Sequence, residues 1–307
     1  MRRQMRRSLD KESAGDQGGR SAASQYVDVH CHCLPDLDDG PSTMPEAVAL
    51  CRALADDGIA AVIATPHQLG RFDGSYTATK IRLAVADLNR TLSEQRIPLT
   101  VLPGADEQGI GPAVDLAFAG IEHALEEVLH HAGHVAEVLG RAEDQPVGGE
   151  QVPRPGIGVR VDERIPQLLK SDRILTLADT GKYILLELPD AVFVDIEPLI
   201  EELVSLKVTP IISHPERHNS LAGRSEMISK WLGHSARLQI TASSLAGCFG
   251  PEVETAAWRL LRSGWVSLVA TDSHDLNGRR PLMREAFRLI STRLNEDLAR
   301  LVCIENP

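Results

Sequence analysis

From Tyr26 onward, short runs of apolar, largely β-branched residues alternate with segments whose apolar positions recur near the helical period. Seven runs read as strands: 26–32 (YVDVHCH), 59–65 (IAAVIAT), 98–102 (PLTVL), 183–188 (YILLEL), 208–213 (VTPIIS), 237–241 (RLQIT) and 266–271 (VSLVAT). Between them, 45–56 (PEAVALCRALAD), 195–206 (DIEPLIEELVSL) and 252–262 (EVETAAWRLLR) carry an apolar stripe at helical spacing. Gly58 and Gly264 stand shortly before the next strand and are expected to end their helices. Strand and helix alternating in this way predict parallel pairing through right-handed crossovers, so the chain is α/β, a barrel or a doubly wound sheet.

Two segments break the rhythm. Residues 1–25 are rich in Arg, Ser, Gly and Gln with no hydrophobic period; they read as a flexible basic tail that cannot repay its ordering entropy. At about 107–160 lies an insertion, with a helical pattern at Ile121, Leu125, Val128, Ala132, Val135 and Leu139, then a Gly/Pro/Gln-rich stretch at 144–158.

Composition narrows the class. At 43% hydrophobic and 24% charged, the 307 residues exclude a disordered chain, a collagen or a coiled coil, and they suffice for one barrel-sized core. No apolar run reaches the ~18 residues of a membrane span, and the basic N-terminus is not followed by the apolar stretch of a secretion signal, so the expected location is cytoplasmic with no membrane insertion. The formal charge is −11, and residues 1–25 hold six basic against three acidic residues, so the remainder is more acidic still. Such a surface repels a phosphate backbone and argues against nucleic acid. Five cysteines do not form a paired framework, and reduced thiols are expected.

Ionisable residues collect at the ends of the strands: His30 and His32 on the first, His67 after the second, Asp106 and Glu107 after the third, then Glu187, His214, and Asp272 with His274. In parallel α/β folds the loops that converge at those ends build the sites. Side chains two apart on a strand point the same way, so His30 and His32 can share a cation, while Cys31 and Cys33 face the opposite side. Glu187 lies in an apolar run, where an ionised carboxylate costs several kcal/mol unless a cation or hydrogen bonds compensate. Taken together the set implies metal. HCHC (30–33) superficially suggests a zinc finger, but alternation divides its Cys from its His and no second Cys pair follows at finger spacing. Cys51 reads as core. In the insertion, His130 and His134, with His123, Glu127 and His131 near, read as a solvated or partner-facing helix rather than a further metal site.

Six motifs in order, DVHCHCLPDLDDGP (28–41), ATPH (64–67), LPGAD (102–106), YILLELP (183–189), IISHPERH (211–218) and ATDSHDLNGRRP (270–281), give the chain a resemblance over 26–307, apart from the insertion. It resembles the polymerase and histidinol phosphatase (PHP) metallophosphoesterases, and within them the bacterial manganese-dependent protein-tyrosine phosphatases of capsule and exopolysaccharide operons. HPER, and DDG before a proline, point to that branch. The resemblance implies a distorted (β/α)7 TIM-like barrel with a helical insertion. It implies one metal on His30, His32 and Asp272, a second on Glu187 and His214, and a third on Asp39, His67 and His274. A bridging carboxylate would come from Asp106, where the family has Glu, or from Glu107 beside it. Mn²⁺ is the metal implied, with Fe²⁺ or Zn²⁺ also suited to His and carboxylate donors. Nine side chains for three ions that want about eighteen donor positions leave room for water and phosphate. Arg217 and Arg279 are the expected phosphate clamps, since a guanidinium fork matches phosphate.

The function implied is hydrolysis of phosphotyrosine by metal-activated hydroxide, with the tyrosine-rich tail of a partner kinase of polysaccharide export as substrate. Two alternatives stay open: a PHP-type phosphatase for a small alkyl phosphate such as histidinol phosphate, or a phosphodiesterase; and a non-catalytic regulatory module whose altered Asp106 region has disabled the metal centre. An oligomer is left open.

Overall fold

A computed structural model describes residues 26–69, 75–103, 163–188, 193–221 and 223–307. The tail, Asp106 and the insertion with its histidines lie outside the described residues. All seven expected strands are present: β1 (Tyr26–Cys31), β2 (Ile59–Ala64), β3 (Thr100–Leu102), β4 (Tyr183–Leu186), β5 (Thr209–Ser213), β6 (Arg237–Thr241) and β7 (Val266–Ala270). The described helices are α1 (Met44–Asp56), α2 (Ala78–Glu94), α3 (Ile165–Lys170), α4 (Glu197–Ser205), α5 (Ser225–Gly233), α6 (Ala242–Leu245), α7 (Pro251–Arg262), α8 (Met283–Arg293) and α9 (Glu296–Arg300).

Local chemistry explains the boundaries. Before α1, the Thr43 hydroxyl accepts from the Glu46 amide while the Glu46 carboxylate accepts from the Thr43 amide, and Pro45 occupies the first turn. This reciprocal box satisfies donors that a helix start leaves open. Gly58 and Gly264 reverse the chain into β2 and β7 at φ 96° and 70°, as expected of them. The sequence reading assigns no helix to 78–94, 225–233 or 283–293. α2 nevertheless buries Ala78, Ile81, Val85, Leu88 and Leu92 at the spacing an amphipathic helix requires. No helix among the described residues is long and apolar enough to cross a membrane.

The strands form two parallel sheets, ordered β1-β2-β3 and β4-β5-β6-β7. They meet along a short seam where β1 lies beside the end of β7. There Cys31 and Ser273 form a parallel bridge, the Asp272 amide donates to the His30 carbonyl at 2.8 Å, and the His32 amide donates to the Ser273 carbonyl at 2.9 Å. Between the sheets pack Val29, Ala61, Ile63, Leu102, Ile211, Leu268 and Ala270. The opposite faces bury a larger apolar cluster against α1, α2, α5, α7 and α8, with Trp231 fully enclosed. Each sheet is therefore covered twice, the reason for the near-continuous apolar strands.

Asp28 ties this seam from inside. Fully buried, its carboxylate accepts from the Thr271 amide at 2.9 Å and the Thr271 hydroxyl at 2.5 Å. Burial, partly offset by these bonds, raises its pKa to about 7. The group is then protonated in the fold but ionised in the unfolded chain from about pH 4 to 7, so stability falls as pH rises through that window. In metal-stripped protein, Asp28→Asn keeps the shape without the charge. It should exceed the parent in stability by up to about 4 kcal/mol at pH 8 and by little at pH 4. Urea unfolding at the two pH values measures this, and an equal gap at both would refute it.

Candidate metal centre

Because the strands are parallel, their C-terminal ends open on one face, and the expected residues meet there. His30 and His32 leave β1 on the same side, with their Nε2 atoms 3.3 Å apart. The Nδ1 atom of His30 lies 2.9 Å from Gln239 Oε1 on β6, that of His32 lies 2.5 Å from Asp38 Oδ2, and that of His274 lies 3.0 Å from the Asp272 carbonyl. An acceptor at Nδ1 fixes the neutral tautomer with its lone pair on Nε2, the arrangement of metal-ligating histidines. The lone pairs of His30 and His32 thus point into the same space, while His274 Nε2 lies 2.8 Å from Arg279 Nη1.

Asp272 faces them. Its Oδ1 lies 3.3 Å from His30 Nε2 and 3.6 Å from His32 Nε2, is buried, and accepts no hydrogen bond among the described residues. Its Oδ2 accepts from Arg279 Nη2 at 2.5 Å and from Arg217 Nη2. An unsatisfied buried carboxylate oxygen opposed to imidazole lone pairs costs energy that a cation between them removes. The donor set therefore fits a metal.

The remaining residues extend the cluster. Asp39 Oδ1 is 3.3 Å from His274 Nε2 and 3.5 Å from His67 Nε2. Glu187 reaches two rings, Oε1 to His214 Nε2 at 2.8 Å and Oε2 to His67 Nδ1 at 3.0 Å. Donor atoms of His32, Asp39, His67 and His274 lie within 4.8 Å of one another, as do those of His30, His214 and Asp272. His32 thus groups by distance with the Asp39 set, and Glu187 spans the two groups. The expectation that Glu187 lies within a strand is corrected. Pairing of β4 with β5 ends at Leu186 opposite Ile212, and Glu187, its side chain 43% exposed, sits one residue beyond. There a carboxylate meets histidines instead of the sheet interior. Cys31, Cys33 and Cys51 are free, buried thiols in the apolar cluster, on the side away from the imidazoles.

Electrostatics set the protonation states. Burial pushes Asp272 and Glu187 upward, yet the guanidiniums of Arg217 and Arg279 hold Asp272, and the hydrogen-bonded imidazoles of His214 and His67 hold Glu187, well below the usual carboxylate range. Burial lowers His30 to about 3 against the pull of Asp272, and lowers His274 to about 4. Charged carboxylates beside neutral imidazoles are the forms that ligate metal. The backbone is strained at the same points: His214 and Asp272 adopt φ of 34° and 51°, left-handed values that cost a non-glycine residue about 1 kcal/mol or more. Both follow strand ends, His214 directly after β5 and Asp272 two residues after β7, and the kink turns the side chain into the cleft.

Sequence reasoning missed four supporting residues. Asp38 is buried and accepts from the Gly40 amide at 3.0 Å and the His67 amide at 3.1 Å as well as from His32, which together overcome burial and bring its pKa to about 2. Gln239 orients His30. Glu216 of HPER accepts from the Thr241 amide at 2.9 Å and the Ser244 hydroxyl at 2.7 Å, so it anchors β6 and α6. Asp28 is the fourth. The available signal was a polar residue inside an apolar run, the criterion applied to Glu187 and equally true of Gln239 and Asp28.

A family model described as "Capsular polysaccharide synthesis, CpsB/CapC" matches residues 26–108 and 141–307. Tyrosine-protein phosphatase YwqE of Bacillus subtilis is 28% identical over 273 residues, 89% of this chain and 86% of that one. A structure described among those of YwqE from Bacillus subtilis and CpsB from Streptococcus pneumoniae, "unique metal-dependent tyrosine phosphatases", superposes with a TM-score of 0.67 at 27% identity, covering 89% of each chain. The Escherichia coli phosphotriesterase homology protein, at 15% identity with a TM-score of 0.51 over 93% of this chain and 98% of that one, shares the fold alone.

Gln239→Leu preserves volume but removes the acceptor that orients His30. It should weaken metal binding by about 10–100-fold with the fold intact. Metal titration alongside circular dichroism reads this, and unaltered affinity would mean that another group orients the ring.

Proposed function

Since the chain belongs to the capsular polysaccharide synthesis CpsB/CapC family, we propose that it is a metal-dependent protein-tyrosine phosphatase whose centre is built from His30, His32, Asp39, His67, Glu187, His214, Asp272 and His274, with Asp106 or Glu107 completing it. The observation that carries this reading is the approach of two imidazole nitrogens, His30 Nε2 at 3.3 Å and His32 Nε2 at 3.6 Å, to an Asp272 oxygen that accepts no hydrogen bond among the described residues. The bound metal, Mn²⁺ in this reading and up to three ions, would lower the pKa of a water and offset phosphate charge. Fe²⁺ and Zn²⁺ suit the same donors.

The protein's own groups do the rest. Gln239 and Asp38 hold two imidazoles in one tautomer. Arg217 and Arg279 hold Asp272 by one oxygen and leave the other to the centre. Each arginine also has a buried Nε–H without a hydrogen-bond partner among the described residues. These donors suit the non-bridging oxygens of a phosphate, so both arginines serve the ligand carboxylate and the substrate together. A tyrosyl leaving group, a phenol of pKa about 10, departs without strong proton donation. An alkyl phosphate would need a placed acid.

In the same reading the two sheets are opposite walls of one distorted barrel over 26–307. The bridged seam of β1 and β7 and the apolar residues packed between the sheets support this. The segment at about 107–160 is an insertion into that barrel, and 1–25 is a tail. The substrate is a phosphotyrosine protein of the cytoplasm, a tyrosine kinase of polysaccharide export.

Metal analysis of gently purified protein, followed by hydrolysis of a phosphotyrosyl peptide, tests the proposal. Two or three metals per chain are expected, with phosphate release lost to chelator and restored by Mn²⁺. His214→Ala should retain fewer ions and lose more than the roughly 10–100-fold that changes behind the ligands cost. Faster turnover of histidinol phosphate than of the peptide would overturn the substrate, and full activity in His214→Ala would displace the site.

A further inference from the structure

Beside the two arginines lies a groove of about 490 Å³ that the metal centre does not use, lined by Ser243, Cys248, Leu276, Asn277, Arg280 and Leu282. It is continuous with the site on two sides. The loop after β7 supplies Arg279 to Asp272 and His274, and its neighbour Arg280 to the groove wall. On the other wall, Cys248 precedes Phe249, whose ring lies 4.9 Å from the Arg217 guanidinium. The loop is held in shape: Asp275 Oδ1 accepts from the amides of Asn277 at 2.6 Å and Gly278 at 2.7 Å, and the His274 amide donates to the Arg279 carbonyl at 2.9 Å.

Leu276 is 47% exposed, one of three exposed large hydrophobic side chains among the described residues. Arg280 is exposed, and its charge, which acts at longer range on Asp57, has no hydrogen-bonded or ion-paired partner among the described residues. Neither Arg217 nor Arg279 lines this groove, so a ligand seated on them must extend beyond its phosphate to occupy it. A polypeptide continues at about 3.3–3.6 Å per residue, so residues one to three positions from a phosphotyrosine span it. From charge complementarity and continuity with the phosphate-binding arginines, we infer that the groove is a specificity subsite for the polypeptide flanking the phosphotyrosine. Arg280 selects an acidic residue there, and Leu276 and Leu282 receive its aliphatic stem. This rests on the phosphotyrosine reading of the centre.

The test uses two phosphotyrosyl peptides identical except for Glu or Lys at the positions flanking the tyrosine, with the full-length, metal-loaded protein and Arg280→Glu. The native protein should favour the acidic peptide in kcat/KM by about three- to fivefold, the upper part of the range of a solvent-exposed ion pair, chiefly through KM, and Arg280→Glu should reverse the order. Leu276→Ser, an exposed change, should raise KM for both peptides. Fluorescence anisotropy of the same peptides carrying a non-hydrolysable phosphonate should give the same ranking. Equal binding of the two by the native protein, or an unchanged ranking in Arg280→Glu, would overturn the subsite. Free phosphotyrosine, too short to reach the groove, reports on the reaction itself. If native protein fails to hydrolyse it and both peptides, the phosphatase reading falls, while the anisotropy ranking still decides the subsite.

Discussion

The centre depends on the backbone seam between β1 and β7. Two amide hydrogen bonds and one bridge set the strand that carries His30 and His32 beside the kink that carries Asp272. A register shift of one residue would exchange imidazoles for thiols, because alternation places Cys31 and Cys33 on the other face. Asp28, buried on the same seam, accepts from Thr271 and so fixes the approach from the interior. That a carboxylate there is desolvated enough to shift toward neutrality indicates how dry the joint is.

From this joint the electrostatics follow. Asp272 gives one oxygen to two guanidiniums and keeps the other facing imidazole nitrogens. The arginines keep the carboxylate ionised despite burial, and burial keeps His30 and His274 neutral. These opposite outcomes in one small volume arise because desolvation penalises whichever form is charged, and nearby guanidiniums oppose that penalty at the Asp272 carboxylate but add to it at the His274 imidazole. Both arginines are thus part of the scaffold that holds Asp272, and in the proposed reading the same two groups would bind the phosphate and so couple substrate affinity to the geometry of the centre.

Several features of this arrangement were readable in one dimension. The seven apolar runs became seven strands, and two glycines ended the helices they were expected to end. His30, His32, His67, His214, Asp272 and His274 met as anticipated, since strand-end residues in a parallel fold converge regardless of their separation in sequence. Other features needed contacts. Glu187 reads as buried from its apolar neighbours, yet it sits past the last paired residue of β4 because two histidines await it there. Asp38 and Asp39 are indistinguishable as letters. Backbone amides of Gly40 and His67 turn Asp38 into a support for His32, while Asp39 faces His67 and His274.

The sequence by itself determined the parallel α/β class, the places of the seven strands, and the set of side chains able to hold a cation, because periodicity and residue chemistry are local properties. Only the tertiary structure decided which nitrogen of each histidine is free, which oxygen of Asp272 is unsatisfied, that Arg217 and Arg279 share that carboxylate, and that Gln239 belongs to the centre. The reason is physical. Tautomer, desolvation and hydrogen-bond partner are set by groups brought within about 3 Å across more than two hundred residues of chain, as with Gln239 and His30, and no spacing along the chain encodes that approach.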